Sequence, residues 1–471
     1  MKSLVFVLAN AACISGIFAG WSRAQMPTWI PVLMLFAANI WLTGARPSDY
    51  VRCGNDPQKP VRILWYVWCA FIALYLMRQF VENLEVMKEG PWAQPWLVAV
   101  DISWKNVVFI LSLANTMVWN RRQNYRERCA TLLVALGAYA FGNLLWAEFK
   151  PVQGDDEFGE SRLEGKEFRW VPPLARSNAF FAYTCATAFA AGFAWGVSRL
   201  LRRDIRPRNL LISACVAVAS VVSAWGAYRA EFRSNAVGVV AAVAVAVVPF
   251  LRLRAAIVAF LLTVTIVFPL LFFGPMGYIV LEFLSPEKIA SASGARGQED
   301  ATLTYRTFLW EYAATRLQDP EVFLIGEGPA DRDAQPGYGI FYEGYRMNFH
   351  SASIEFLMAN GVPLGLVGYW CLARMLQLAF RVAGRARAPA QQVEMMEPWI
   401  FYCAAAFVIS IVDPGVATAE GFAMIMLPGF GLLMIENPLA VSVPRVRVAP
   451  IATPRPSAAT APSLDAGPAP G

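Results

Sequence analysis

His350 is the only histidine in this chain of 471 residues, and histidine is the side chain that takes or gives a proton near neutral pH. It stands in Asn348-Phe349-His350-Ser351-Ala352-Ser353, where a long polar segment gives way to an apolar run. A histidine in that place also serves simply as a headgroup anchor, so its context has to decide. Upstream in the same segment, Gly326-Glu327-Gly328-Pro329 lacks bulk at two positions, where backbone amides can approach an anionic or sugar ligand; a plain turn explains the same residues. Asp331-Arg332-Asp333 has the D-x-D form that can hold a divalent cation, but it encloses an arginine on a Gly/Pro-rich stretch, and no metal site is expected there. Trp170, beside Pro172-Pro173, and Tyr338, Tyr342 and Tyr345 offer aromatic faces to sugars or anchor at an interface. Asp101 and Lys105, four apart inside an apolar run, either pair with each other or relay a coupling ion.

The elements that position these residues follow from composition. With 57% hydrophobic and 16% charged residues and a mean hydropathy of +0.44, the chain departs from soluble domains, in which about a quarter of residues are charged. It reads as an all-α polytopic membrane protein, and the +6 charge does not signify nucleic-acid binding. Apolar stretches run near residues 4–20, 27–44, 62–81, 96–118, 130–147, 179–198, 209–228, 234–251, 255–273, 351–380, 398–412 and 421–436, giving about 12 transmembrane helices. Alternate links are rich in arginine, among them Arg121, Arg122, Arg126 and Arg128, then Arg199, Arg202, Arg203, Arg206 and Arg208, then Arg381, Arg385 and Arg387. Counted with the termini, that side holds about 22 of the 40 basic residues, so both termini are expected in the cytoplasm. The first stretch also has the form of a signal peptide, with Lys2 and the small residues near Ala19; retention is expected. No cysteine falls in an outer loop, and no structural disulfide is expected.

Two outer loops, 148–178 and 274–350, are too long to be mere connectors. In the second, Leu303 to Gln318 places Tyr305, Phe308, Leu309, Tyr312 and Arg316 on one stripe, an amphipathic helix stopped by Asp319-Pro320. Residues 1–436 form the transmembrane domain, and 437–471, rich in Pro and Ala, read as a disordered cytoplasmic tail.

His350-Ser351, then nine residues, then Gly361 and Val362-Pro363-Leu364-Gly365, resembles the end of the outer loop in the O-antigen ligase and polymerase superfamily, polytopic lipid-diphosphate-dependent glycosyltransferases. Tyr305-Arg306 through Trp310, with Asp319-Pro320 and Gly326-Glu327-Gly328 after it, is similar to that family's loop helix and turn. Arg233-Ser234-Asn235-Ala236 looks like its outward arginine followed by small residues, and Arg162-Leu163-Glu164-Gly165 with Ser177-Asn178 is a looser likeness. The pattern departs at Ser351, where Asn is common, at Leu364, and at Ala359-Asn360, which lacks the usual acid; these positions bear on the subfamily.

The resemblance implies transfer of a glycan from undecaprenyl diphosphate to a hydroxyl on the periplasmic face of a bacterial inner membrane, without cofactor or metal. His350 would then accept the acceptor's proton, while Arg233 and Arg306 would stabilise the departing diphosphate, since guanidinium forks match phosphate oxygens. Arg229, one helical turn before Arg233 on a short outer link, would share its side; Arg229, Gly326, Gly328 and Ser351 are the expected substrate contacts. The acceptor is a glycan, a lipid A-core sugar or a protein hydroxyl, and ligase and polymerase readings stand close. The competing class is a polysaccharide or lipid translocase with functional charges near the midplane.

Overall fold

The computed structural model describes residues 29–51, 59–88, 95–149, 178–202, 207–230, 233–248, 250–272, 310, 312–327, 340–342, 345–347, 351–383, 390–412, 418–435 and 471. The chain divides into two units, Met1–Ile435 and Glu436–Gly471, and the elements below belong to the first. They are α1 (Trp29–Thr43), α2 (Pro47–Val51), α3 (Lys59–Lys88), α4 (Pro95–Met117), α5 (Tyr125–Phe149), α6 (Asn178–Arg202), α7 (Pro207–Arg229), α8 (Arg233–Val247) and α9 (Leu251–Phe272). Then come α10 (Pro320–Ile325), the strands β1 (Ile340–Tyr342) and β2 (Tyr345–Met347), α11 (Ala352–Asn360), α12 (Val362–Ala383), α13 (Ala390–Val412) and α14 (Ala419–Leu433).

The molecule is thus built of apolar helices, as the hydropathy runs require. Among the described residues five are long and apolar enough to cross a membrane: Lys59–Glu82, Tyr125–Leu145, Asn209–Arg229, Val362–Val382 and Glu394–Ile411. Shorter apolar helices accompany them at Leu33–Thr43, Asn106–Met117, Phe181–Val197, Ser234–Val247 and Ala419–Leu433. The first expected span, residues 4–20, and the loop 148–178 lie outside the described residues except at their margins.

Burial sorts the helices. The apolar window of α13 is 83% buried, whereas that of α7 is 28% buried, so α13 is the centre of the bundle and α7 its rim. Helix α14 is buried from Ala419 to Leu432, as a helix that is hydrophobic all round should be. On α7 the exposed side chains include Leu210, Leu211, Val218, Val221 and Trp225, an outer face that only an apolar surrounding accommodates. Between α3, α11, α12 and α14 an aromatic seam forms, with Phe71 and Phe356 rings 5.8 Å apart, Phe356 and Phe422 5.8 Å, and Phe356 and Tyr369 5.2 Å.

Arginines in the basic links also close helix ends. Arg128 donates from Nη1 to Met117 O at 3.0 Å, and Arg254 donates from Nε to Val248 O at 2.6 Å and from Nη2 to Ala246 O at 3.1 Å. Each supplies cationic donors to carbonyls that have no partner within their own helix. Arg126 pairs with Glu394 at 2.6 Å and Arg121 pairs with Asp49, so these charges stitch the links to the bundle. Six described cysteines, Cys69, Cys129, Cys185, Cys215, Cys371 and Cys403, are free thiols.

Three features differ from the sequence reading. The apolar stretch 351–380, expected as one span, is two helices, because Gly361 takes φ +74° and ends α11. Asp319-Pro320, expected only as a stop, also starts α10: the Asp319 side chain accepts from Glu321 N, Pro320 is the first helical residue, and Glu321 adds an acid to the first turn. Finally, the long loop contains a hairpin pairing Ile340 with Met347, Phe341 with Arg346 and Tyr342 with Tyr345, so the architecture is helical with one small antiparallel ribbon among the described residues.

Candidate active site

The residues after His350 form α11, and its packing shows where that helix begins. Glycines on α12 let the two helices approach closely: a methyl on Gly365 would meet Leu357 Cδ2 at 2.7 Å, and one on Gly368 would meet Phe356 Cζ at 2.6 Å. Further back along α11, Ser353 lines one small cavity together with Tyr369 and Leu372. As the number falls along α11 its partner's number rises along α12, so α11 folds back along the first half of α12. Nine residues rising about 1.5 Å each place its first turn roughly 13 Å inward from the Gly361 break.

Ser351, the residue before α11, is fully buried. It adopts the extended N-cap backbone, φ −148° and ψ 119°, but its side chain makes no capping hydrogen bond, and its Oγ has no partner among the described residues. A helix N-terminus with open amides and a buried free hydroxyl is a receptive place for an anion or an ionisable oxygen. His350 is the adjacent residue in the chain and lies outside the described residues.

Two residues on from Ser351, Ser353 Oγ donates to Thr265 O of α9. That carbonyl would ordinarily accept from residue 269 of the same helix, but residue 269 is proline and carries no N–H. Ser353 therefore replaces a missing helical donor and fixes α11 against α9. Thr265 Oγ1 in turn donates to Phe407 O of α13 at 3.2 Å. Thr265, Ser353, Tyr369 and Ser410 lie around this cavity, whose walls are apolar and which measures about 10 Å³.

The other end of α11 is held from two sides. Arg78 of α3 donates from Nη1 to Asn360 O at 3.2 Å, placing a cation at the negative end of the helix. Glu327 donates its backbone N–H to Met358 O at 2.7 Å, and its carboxylate accepts from Arg316 Nε at 2.7 Å. The hydrogen bond to Glu327, opposed in part by desolvation, holds the Arg316 guanidinium above its ordinary value. Arg316 closes the short helical run 312–316, so that run, the Gly326-Glu327 turn and α11 are joined.

This geometry redistributes the expected roles. Gly326 caps α10 at φ +74°, and the space left by its missing side chain faces Gly361 N and Met358 O. Its lack of bulk thus serves packing against α11, and the geometry gives no separate support to a ligand contact there. Arg229 and Arg233 do not lie one turn apart on a helix. Arg229 ends α7, whose last turn closes through Ala230 N to Gly226 O at 3.1 Å, and Arg233 starts α8, so an i,i+4 alignment does not relate them. Arg229 is exposed; the Arg233 side chain lies outside the described residues, as do those of Asp101 and Lys105, although the backbone places both of these within α4. Arg306, Gly328, Asp331, Asp333, Trp170, Tyr338 and Arg162 lie wholly outside the described residues. Six residues on from Arg229, Asn235 near the start of α8 is buried, and neither of its amide atoms has a partner among the described residues.

Sequence reasoning passed over Ser353, Thr265 and Arg78. Each carried a signal: a proline inside an apolar span leaves a carbonyl in need of a donor, and an arginine inside the run 62–81 is a charge that must find a partner. Among the described residues no three His, Cys, Asp or Glu side chains gather as a metal site. Compared with known proteins, the chain matches no family model and no curated protein sequence.

Proposed function

We propose that this protein is a bacterial inner-membrane glycosyltransferase of the O-antigen ligase type, moving a glycan from undecaprenyl diphosphate to an acceptor hydroxyl, with repeat polymerisation the neighbouring activity. In this reading twelve spans put both termini in the cytoplasm and the loops 148–178 and 274–350 in the periplasm. The observation that carries it is the join of two signals: the His350-Ser351 motif with nine residues between it and Gly361, and a buried helix N-terminus at Ser351 whose hydroxyl has no partner among the described residues.

The chemistry then assigns itself by charge. The acceptor O–H gives its proton to His350 as its oxygen bonds to the anomeric carbon, and the bond from that carbon to the diphosphate oxygen breaks, inverting the centre. The departing diphosphate keeps the electron pair, and Arg233 and Arg306 balance its growing charge. Gly328 and Arg229 remain proposed substrate contacts, and in this reading the Ser351 hydroxyl and the first amides of α11 would hold a substrate oxygen near the histidine that precedes them in the chain.

A lipid or polysaccharide translocase is the second reading, favoured by one observation: α11 folds back on α12 inside the bundle, and re-entrant backbone within a membrane is tolerated where it is buried in protein or lines a cavity, as at the binding sites of carriers. Variants separate the two. In purified, folded protein His350→Ala should slow transfer by roughly 10² to 10⁴ fold while lipid-diphosphate binding stays near normal. Arg233→Ala and Arg306→Ala should weaken binding and turnover together, with Arg233→Lys recovering only part. Near wild-type transfer by His350→Ala, with function abolished by Asp101→Asn or Lys105→Met, would instead establish the carrier.

A further inference from the structure

Away from that site, α3 and α12 leave a groove of about 520 Å³ between them. Its position is fixed by the way the helices run. Arg78 of α3 reaches Asn360, Phe71 lies against Gly368, and Lys59 lines the groove with Arg374 and Gln377, so α3 and α12 are antiparallel and the groove lies at the Lys59 end. Lys59 is the first residue of α3, and Arg374 lies on the second half of α12, which ends at Ala383. Arg62 and Arg381 stand at the same end, and Arg385 and Arg387 follow in the link, so this is the arginine-rich side.

The lining has two characters. Ile63 and Trp370 are 48% and 45% exposed and form an apolar wall between two helices that are each long enough to cross a membrane. Lys59 and Arg374 supply two positive charges, and neither forms an ion pair with a carboxylate among the described residues. Arg374 donates from Nη1 to Gln377 Oε1 across one turn, which keeps its guanidinium along the groove. Elsewhere on this side Arg121, Arg126 and Arg254 have carboxylate partners; what sets Lys59 and Arg374 apart is that they flank one groove with an apolar wall, where an external anion with an apolar tail fits.

We propose that this groove binds an anionic glycerophospholipid of the leaflet on the arginine-rich side, its phosphate between Lys59 and Arg374 and an acyl chain along Ile63 and Trp370. A long cationic side chain near the end of a membrane helix places its charge at headgroup level, where anionic lipid is the abundant counter-ion. A tryptophan there presents an apolar face to the chain and an N–H to the headgroup. A soluble anion satisfies the charges but leaves the apolar wall uncovered, which is why a lipid is the occupant that fits.

The test is native mass spectrometry of the full chain, delipidated in detergent and titrated with phosphatidylglycerol or phosphatidylcholine. Wild type should retain phosphatidylglycerol preferentially, the preference should shrink as salt rises, and Lys59→Gln with Arg374→Gln should weaken retention by about 30-fold, the effect of removing two headgroup-level charges. Trp370→Ala should weaken both lipids. If the double variant fails to fold, the wild-type preference and its salt dependence decide alone. Equal retention of the two lipids by wild type, unchanged phosphatidylglycerol binding in the folded double variant, or displacement of the lipid by millimolar inorganic phosphate would each overturn the proposal, the last in favour of a soluble anion.

Discussion

Gly326 and Gly361 meet backbone to backbone: a methyl on Gly326 would stand 2.4 Å from Gly361 N, and one on Gly361 would stand 2.6 Å from Leu324 O. Both residues have φ +74°, a conformation that L side chains rarely adopt. This contact joins the turn after α10 to the break between α11 and α12, and through α11 it reaches Ser351.

Gly326→Ala and Gly361→Ala should therefore each destabilise the protein by more than about 1 kcal/mol, because strain and a backbone clash act together. Arg316→Gln should cost at most about 1 kcal/mol, since the side chain is 41% exposed and its pair with Glu327 is screened by solvent. Thermal unfolding in detergent, followed by tryptophan fluorescence, compares the three. An arginine variant less stable than either glycine variant would show that the ion pair, not the backbone contact, holds the turn.

Ser353→Ala should leave Thr265 O without a donor inside the bundle and cost about 1–3 kcal/mol. Pro269→Ala restores an N–H four residues on, so combining it with Ser353→Ala should recover most of that loss. Strictly additive effects in the double-mutant cycle would mean that Ser353 does not stand in for the missing helical donor.

The proposed orientation predicts that a reporter active only outside the cytoplasm scores when fused near residues 160 and 320 and is silent near 125, 205 and 385. External activity at 205 would reverse the arrangement and place the His350 end of the loop on the wrong side for a periplasmic acceptor.

Transfer by the purified protein should need no ATP and should survive chelation of divalent ions, since the lipid diphosphate leaving group supplies the driving force and the chain has no P-loop. The assay is transfer of a labelled lipid-linked glycan with and without chelator. Loss of activity restored by magnesium or manganese would return Asp331 and Asp333 to the reaction.

The sequence by itself determined where the apolar helices lie, because the cost of exposing backbone or charge in a membrane is local and each run of apolar residues reports it directly. It also marked the residues around His350 and Gly361, through their spacing. What it did not determine was direction and partnership. The run 351–380 is apolar on both sides of Gly361, so hydropathy passes through the break, and only packing against Gly365 and Gly368 shows that α11 folds back. Likewise, Arg229 and Arg233 are four apart in the chain, but the helix ends between them. Ser353 finds its acceptor 88 residues away and Arg78 finds Asn360 O 282 residues away. Such contacts depend on which helices become neighbours, and complementary glycines, carbonyls and charges select those neighbours only once the bundle has assembled.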